Sequence, residues 1–480
     1  MKKNFKKLIS GAMALVMAAG LMAGCGGNGG SSDNYQIDWY LVTGTVPGDT
    51  AEVEAKVDEY LAEKLPGTTL KMHYLDWGAY DQKLNVMMAG GEKFDICYTN
   101  GDTYKQNVAK NAFLPLNELI DEFAPKTKEI VGEDFLKGSQ INGVNYGIPA
   151  NKDKGHQQGM LYRKDIAKEL DLEEMIANVK TMDDMYPIFD IVKEKRPDIV
   201  PLTEGGVQAT TSLINFDTVA FPIGFMLDDE TLTPVNYVET EEYKEAVLKI
   251  REHRLKGYTK ADYNGTSEMH FAEFVGLKPG KAEEMSTSRK HEYGQIEMSE
   301  AYMTNGDATG SLMAVSRTSG DPERAVQFLE LFNTDPYLNN LIIYGIEGKH
   351  YNKIDENYVE PINNSGYGNA GMQWEFGNTF INYLTKGENV DKVKNMEEFN
   401  DNLKQAPSLG FIFDGAAVKT EAGACLNVKA EYENTLAGGG DKDPEKTLEE
   451  YRAKLKSAGV DKILEEVTRQ LNEWKKANGK

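Results

Sequence analysis

The fold is decided by three apolar stretches near the start of the chain, YQIDWYLV (Tyr35–Val42), TLKMHYL (Thr69–Leu75) and FDICY (Phe94–Tyr98). Each is dense in aromatic and branched residues, which strands favour. The segments between them have apolar residues at helical spacing, first from Val53 to Leu61 and then from Tyr80 to Met88. This β-α-β-α-β order predicts a parallel sheet with helices on its faces.

Ligands of such sheets collect beyond the carboxyl ends of the strands. Three loops of this chain qualify: the loop after Val42, the loop that holds Asp76 and Trp77, and Thr99–Tyr104. The sequence therefore predicts a binding edge that these loops share.

Later parts of the chain carry clear helix boundaries. A second region begins near Ala150, and two later helices open with an Asp cap, Pro at the first helical position and Glu in the first turn, at Asp321–Glu323 and Asp443–Glu445. Gly459 is expected to end the second of these helices, and a last helix runs from Asp461 through Trp474.

The first residues are typical of a secretory signal. Four lysines precede residue 8, an uncharged stretch follows to Gly24, and LMAG leads into Cys25. LMAGC resembles a bacterial lipobox, whose Cys becomes a fatty-acylated N-terminus, for example with palmitate; Met22 departs from that pattern. Gly26–Asn34 reads GGNGGSSDN, a composition typical of a flexible tether. The alternative is an ordinary signal peptide in which Cys25 is coincidental.

The composition bounds the function. With 53 Lys and Arg against 76 Asp and Glu, the formal net charge is −23. Nucleic acid requires a basic footprint, so the acidic balance argues against it, and equally against an anionic membrane surface as partner. Because 480 residues exceed what one core usually supports, two or more lobes are expected.

Cysteines and histidines give no sign of a reactive or metal site. Besides Cys25, the chain has only Cys97 and Cys425, and no CxxC pair. Two alternatives stay open for them, a disulfide or two buried free thiols. No histidine pair has metalloprotease spacing and no G-x-S-x-G motif exists, so we expect no cofactor, no metal and no serine-hydrolase site.

Several segments, in this order, resemble the extracellular solute-binding proteins (family 1) of bacterial ABC transporters, the class of maltose-binding protein, and in particular its LipO-type lipoproteins. They are NAFLPLNELID (Asn111–Asp121), NGVNYGIPANKD (Asn142–Asp153), LYRKDIAKEL (Leu161–Leu170), SRTSGDPERAVQFLELFNTDP (Ser316–Pro336), YGIEGKHY (Tyr344–Tyr351), GFIFDGAAVKTE (Gly410–Glu421) and AGVDKILEEVTRQLNEW (Ala458–Trp474). Little resembles the family between about residues 264 and 306, and we expect that region to shape ligand choice.

The resemblance implies a two-lobed α/β fold of the periplasmic-binding-protein type II, with a hinge between the lobes and a helical C-terminus. The expected organisation is a lipoprotein signal peptide at 1–24, a tether at 25–34, lobe 1 at 35–149 plus about 310–364, and lobe 2 at 150–309 plus about 365–480.

The resemblance also implies the function. The chain is expected to be a lipoprotein at the outer face of the cytoplasmic membrane. There it captures a carbohydrate, an oligosaccharide rather than a monosaccharide, and delivers it to ABC permease subunits without acting as an enzyme. Two alternatives stay open: a binding protein for a non-sugar solute such as a peptide, and a secreted glycosidase with two carboxylates.

A sugar offers hydroxyl groups and apolar C–H faces, so its site needs aromatic platforms and polar groups. The residues expected to contact the ligand are Trp374, Trp77, Asp76, Tyr98, Asn100, Asp102, Tyr104, Asn151, Asp153 and Thr43, with Thr45, Tyr162 and Arg163 as further candidates. For Trp374 and the segment around Asn100 the expectation comes from the family resemblance.

Each candidate has a structural alternative. Asn-Gly-Asp at residues 100–102 is also a common turn sequence, and Asn151 and Asp153 could serve only the hinge. Trp39 and Trp474, by contrast, are expected to be packing residues, and His350 to belong to the fold rather than the site.

Overall fold

The structure is a computed structural model that describes residues 34–203, 214–260, 269–368, 372–437, 440 and 443–479. The predicted signal peptide, Cys25 and all of the predicted tether except Asn34 lie outside these residues.

The first part of the chain alternates strands and helices as predicted. Its elements are β1 (Tyr35–Thr43), α1 (Thr50–Lys64), β2 (Thr68–Asp76), α2 (Trp77–Gly90), β3 (Ile96–Thr99), α3 (Gly101–Ala109), α4 (Asn117–Phe123), α5 (Pro125–Val131), α6 (Glu133–Gly138) and β4 (Gly147–Pro149). Strand β1 lies between β2 and β3 and is parallel to both. The parallel arrangement predicted from the three apolar stretches is present.

Two local predictions in this region are wrong. Asp76 and Trp77 were expected to lie in a loop, but β2 ends at Asp76 and α2 begins at Trp77. Residues 99–104 were expected to form a loop, but β3 ends at Thr99 and α3 begins at Gly101. Tyr104 and Val108, four residues apart, pack into the core, Tyr104 being fully buried. In isolation, Asn-Gly-Asp is typical of a turn. Here the burial of the helical face that carries Tyr104 and Val108 stabilises a helix that begins at this sequence.

The middle of the chain forms a second sheet and a small third one. Its elements are β5 (Gln157–Arg163), α7 (Lys164–Glu169), α8 (Glu173–Ala177), α9 (Tyr186–Lys195), β6 (Val200–Thr203), β7 (Phe216–Ala220), β8 (Ile223–Met226), β9 (Val235–Asn236), α10 (Glu241–Leu255), β10 (His270–Leu277), α11 (Lys281–Arg289), β11 (Tyr293–Glu297), β12 (Tyr302–Met303) and α12 (Asn305–Ala308). The second sheet has the order β11-β5-β10-β6, and β7-β8-β9 form the small sheet. The segment without family resemblance thus supplies two strands of the second sheet.

The remaining elements complete both halves. They are β13 (Leu312–Val315), α13 (Pro322–Thr334), α14 (Pro336–Tyr344), β14 (Tyr351–Lys353), β15 (Tyr358–Pro361), β16 (Leu384–Thr385), α15 (Lys392–Asp401), β17 (Lys404–Gln405), α16 (Lys419–Ala437), α17 (Pro444–Ala458) and α18 (Val460–Ala477). Strand β13 inserts antiparallel between β3 and β4, so the first sheet has the order β2-β1-β3-β13-β4. Asp321 and Asp443 cap α13 and α17, and Gly459 ends α17 in the left-handed region, as predicted.

Separate hydrophobic cores underlie the two-lobed fold. In the core of the first sheet, Trp39 is fully buried, as expected, and meets the rings of Phe328, Phe332 and Phe376 at centroid distances of 5.5, 5.3 and 5.6 Å. A second core lies under β5, β6 and β10. A third joins α10 and the small sheet to α16, α17 and α18.

The passages between the two sheets lie side by side. The chain leaves β4 for β5 through residues 150–156 and returns from β11 to β13 through residues 298–311. His156 and Tyr302 exchange backbone hydrogen bonds of 3.1 and 3.0 Å, and β17 pairs with β12. The crossings therefore form one narrow band; the exact lobe boundaries stay a prediction.

The two cysteines of the described residues lie in different cores. Cys97 belongs to the core of the first sheet and Cys425 to the core of the C-terminal helices, and both are buried and free. Of the two alternatives left open by the sequence, the free thiols are the one present. No helix in residues 34–479, their gaps aside, is long and apolar enough to cross a membrane.

Candidate functional site

The carboxyl ends of the first three strands meet at one edge of the first sheet. Thr43, at the end of β1, is paired in register with Asp76, at the end of β2, while β3 ends beside them at Thr99. Leu312, the first residue of β13, lies opposite Thr99. This edge is where the sequence predicted a binding site.

Three aromatic rings converge at this edge: Trp77, Tyr98 and Trp374, called the aromatic cluster below. The rings of Trp77 and Trp374 are parallel within 7°, with centroids 6.1 Å apart. The Tyr98 ring is nearly perpendicular to both, at 6.1 Å from Trp77 and 6.4 Å from Trp374. Trp77 remains 47% exposed, so the cluster presents aromatic surface to solvent.

Backbone contacts fix the two tryptophans. Asp76 caps α2 because its Oδ1 accepts hydrogen bonds from the amides of Gly78 (2.9 Å) and Ala79 (3.2 Å), which sets Trp77 as the first helical residue. Trp374 lies in a short 3₁₀ helix, and the buried Ser311 hydroxyl donates to its carbonyl oxygen at 2.9 Å. The hydrogen-bonding capacity of Asp76 is therefore used at least in part by the cap.

Two hydrogen bonds hold Tyr98 in place. The Asn100 amide donates to the Tyr98 hydroxyl at 2.9 Å, and Tyr80 donates its own hydroxyl to the Tyr98 carbonyl at 2.8 Å. Burial raises the pKa of Tyr98 to about 12, so the ring stays neutral. Five of the predicted site residues, Asp76, Trp77, Tyr98, Asn100 and Trp374, thus lie together.

Glu375 is a feature of this site that the sequence interpretation did not single out. Its side chain is fully buried, and neither carboxyl oxygen has a hydrogen-bond partner. Burial raises the pKa of Glu375 to about 9, so this carboxyl keeps its proton at neutral pH. The one available sign was an acid between two aromatic residues, Trp374 and Phe376.

Other predicted residues do not join the aromatic cluster. Tyr104 is fully buried in α3 and donates its hydroxyl to the Ser139 carbonyl at 2.9 Å. Thr43 is buried, with its hydroxyl donating to the Thr45 carbonyl at 3.1 Å. Asp102 lies in α3, but its side chain is outside the described part of the structure.

The candidates of the second sheet are engaged elsewhere. Arg163 is buried and forms a bidentate pair with Asp165 at 2.8 and 2.7 Å. The Tyr162 ring packs against Phe271, with centroids 6.3 Å apart. Both contacts lie within the second sheet and its following helix.

Asn151 and Asp153 lie in the first crossing between the sheets. The Asn151 amide donates to Asn378 Oδ1 at 2.8 Å, and its backbone N–H donates to the Gly377 carbonyl at 2.9 Å. Burial opposes the charge of Asp153, but Lys278, 2.9 Å away, and Lys152 hold the pKa of that carboxyl below its usual range. Both residues thus bind neighbouring chain segments.

Replacement of Asn151 by alanine distinguishes a hinge role from ligand contact. Asn151 is 2% exposed, and the substitution leaves the buried Asn378 with one partner fewer. We expect the free energy of unfolding to fall by about 1–3 kcal/mol. Urea unfolding measures this loss, and a matched Asn100→Ala variant, at the aromatic cluster, should lose less. Unchanged stability for Asn151→Ala would show that its hydrogen bond with Asn378 does not stabilise the crossing.

Aromatic and hydroxyl-bearing side chains make up much of the described part of the site. Flat aromatic faces, an amide and buried hydroxyls suit a ligand with apolar C–H faces and hydroxyl groups. Among the residues that the structure describes, no group of three or more His, Cys, Asp or Glu side chains is placed to hold a metal ion.

Two family models match the chain. Residues 44–267 match the model for bacterial extracellular solute-binding proteins, and residues 407–476 match a domain of unknown function, DUF3502. The first match covers the aromatic cluster except Trp374, and the second covers the C-terminal helices.

Relatives with stated ligands are similar over most of the chain. A carbohydrate ABC transporter substrate-binding protein of Streptococcus pneumoniae serotype 4 (strain ATCC BAA-334 / TIGR4) is 29% identical over 499 residues, covering 99% of each chain. The polygalacturonan/rhamnogalacturonan-binding protein YtcQ of Bacillus subtilis (strain 168) is 23% identical over 392 residues, covering 72% of this chain and 74% of its own.

Solved structures are also similar to this chain over most of its length. The N-glycan transport solute-binding protein NgtS of Streptococcus pneumoniae is 26% identical and superposes with a TM-score of 0.81, covering 92% of this chain and 99% of its own. Its complexes with Man1GlcNAc and Man5GlcNAc superpose with TM-scores of 0.73 and 0.69.

Proposed function

We propose that the chain is a family 1 extracellular solute-binding protein of a bacterial ABC transporter and that it captures an oligosaccharide between its two lobes. Residues 44–267 match the family model, and a carbohydrate-binding relative is 29% identical over 99% of the chain. Its α/β fold, with a helical C-terminus, is the type II fold of the solved neighbours. The bound sugar stabilises a closed state, which then docks on the membrane permease.

The aromatic cluster is the observation that carries this proposal. Two parallel tryptophan rings beside the carboxyl ends of β1, β2 and β3 provide platforms for pyranose C–H faces, and the Asn100 amide beside the Tyr98 hydroxyl provides a polar group for sugar hydroxyls. NgtS, whose structure is similar to this chain, is solved with mannose-containing glycans. We assign the sugar contacts to Trp77, Tyr98, Asn100 and Trp374, with Asp76 as a further contact.

The binding function is tested with a panel of oligosaccharides, Man5GlcNAc among them, by calorimetry, thermal shift and chromatography of the recovered glycan. We expect at least one glycan to raise the melting temperature, to be recovered intact, and to reduce the radius of gyration in solution scattering as the lobes close. Cleavage products would instead identify a glycosidase. A panel without any binder would refute the carbohydrate proposal.

We further propose that Cys25 carries the lipid that holds the protein at the outer face of the cytoplasmic membrane. The proposal rests on the LMAGC sequence and the glycine-rich residues after it. Cys25→Ser is expected to move the protein from the membrane fraction to the medium, and the wild type to incorporate labelled palmitate. Membrane retention of Cys25→Ser would refute the anchor while leaving the binding function untouched.

A further inference from the structure

Resting on the proposed function, we infer that the aromatic cluster selects uncharged oligosaccharides and rejects those that carry uronate groups. Relatives of this chain are named for both kinds of ligand, N-glycans and polygalacturonan. Family membership therefore does not decide the charge of the ligand, and the side chains around the cluster must.

Three acidic residues lie next to the cluster. Asp76 precedes Trp77 at the start of α2, Asp81 follows within the same helix, and Glu375 is next to Trp374. Besides burial, the Asp81 carboxylate raises the pKa of Tyr98, whose hydroxyl is hydrogen-bonded to Asn100 and Ser311. A ligand carboxylate placed here would meet the carboxylates of Asp76 and Asp81 and the protonated carboxyl of Glu375.

The pKa of Glu375 depends on the charges around it. A nearby lysine or arginine would lower the pKa of a buried carboxyl, as Lys278 does for Asp153. The pKa of Glu375 is instead raised to about 9 by burial, with no cation acting against the shift. Neither carboxyl oxygen of Glu375 has a hydrogen-bond partner either, so no lysine or arginine of the described residues contacts this carboxyl.

Three cations near the crossings already have partners within the protein. Lys278 lies 2.9 Å from Asp153, Arg163 is paired with Asp165, and the Lys154 ammonium donates to the Ile130 carbonyl at 3.1 Å. The three undescribed segments between residues 200 and 375 (204–213, 261–268 and 369–371) contain no lysine or arginine that could supply a further cation.

Recognition of a carboxylate needs a cation, and the described residues place none in contact with Glu375. Proteins bind carboxylates through arginine or lysine, preferably in bidentate geometry, and burying an unpaired carboxylate carries a large desolvation cost. Hydroxyl groups and C–H faces incur no such cost, because amides and aromatic rings satisfy them. The same cleft thus favours a neutral glycan over its uronate counterpart.

The test compares matched neutral and anionic probes by calorimetry at low and high ionic strength. The neutral arm contains Man5GlcNAc, maltopentaose, cellopentaose and xylopentaose, and the anionic arm contains oligogalacturonate, oligoalginate and Man5GlcNAc with its primary alcohols oxidised to carboxylates. We expect neutral binders at least 100-fold tighter than any uronate. Equal or tighter uronate binding would overturn the inference but leave oligosaccharide capture intact; silence in both arms would overturn both.

A charge variant tests the cause. Asp81 is exposed in α2, so Asp81→Lys is compatible with folding and places a cation near Tyr98. We expect it to raise affinity for the oxidised Man5GlcNAc at least fivefold at low salt, an effect that high salt removes. Gln82→Lys adds a cation at the neighbouring exposed position and serves as the control. If the two variants gave equal uronate affinities, the charge argument would be refuted.

Discussion

Replacing Trp374 by alanine is expected to weaken glycan binding about 30- to 150-fold while the protein stays folded. The indole is half-buried and stands parallel to Trp77, so its loss removes one of the two platforms of the aromatic cluster. Truncation of a tryptophan at the centre of a binding site typically costs about 2–3 kcal/mol of binding free energy. Calorimetry with the best glycan of the panel measures the change.

Trp474→Ala is the matched control for Trp374→Ala. Trp474 packs on the C-terminal core, with its ring centroid 5.9 Å from that of Phe411, and lies far along the chain from the aromatic cluster. We expect this variant to lose stability but no affinity. The opposite result for Trp374, a large loss of stability with unchanged affinity, would assign its ring to the core of the first sheet instead.

Replacing Glu375 by glutamine is expected to stabilise the protein at neutral and alkaline pH. The pKa of Glu375 is raised by burial from 4.5 to about 9, so between these values the folded state keeps a proton that the unfolded state has lost. Stability contributed by this group therefore falls as pH rises through that window and is unaffected below about pH 4.5. Glutamine cannot ionise, so the variant should gain up to about 4 kcal/mol at pH 8.

Urea unfolding from pH 4.5 to 9, followed by tryptophan fluorescence, measures the difference between Glu375→Gln and the wild type. Glu433→Gln is an informative comparison, because burial raises the pKa of Glu433 only to about 7, with Lys429 3.5 Å away. Its gain should level off near pH 7, while the gain of Glu375→Gln continues to grow. A difference that does not vary with pH would show that Glu375 is ionised in the folded protein.

Elements with strong local signals were predictable from the sequence. The alternation of apolar strands and helices from Tyr35 to Tyr98, the Asp caps of α13 and α17, and the stop at Gly459 are encoded within a few residues of each feature. Strand β13 was not predictable in this way. Its four apolar residues, Leu312–Val315, carry no sign that they pair antiparallel with strands over 150 residues earlier.

The candidate site, too, was predictable only in part. Trp77 and Trp374 were expected to contact ligand, but their parallel arrangement arises only when the fold brings α2 and the segment after residue 372 together. Tyr98 and Tyr104 are alike in the sequence, and only the fold separates the ring at the cluster from the ring in the core. A buried, unpaired Glu375 contradicts the usual exposure of charged residues, so composition alone could not identify it.

The C-terminal helices bear on the order in which the protein is made. Tyr243 and Val247 of α10 are covered by Tyr451 and Leu455 of α17, and Ile463 and Val467 of α18 close the same core. A nascent chain leaving the ribosome has thus exposed one side of this core long before its other side is synthesised. This core therefore remains open until translation is nearly finished, which would keep that part of an exported chain able to pass through a secretion channel.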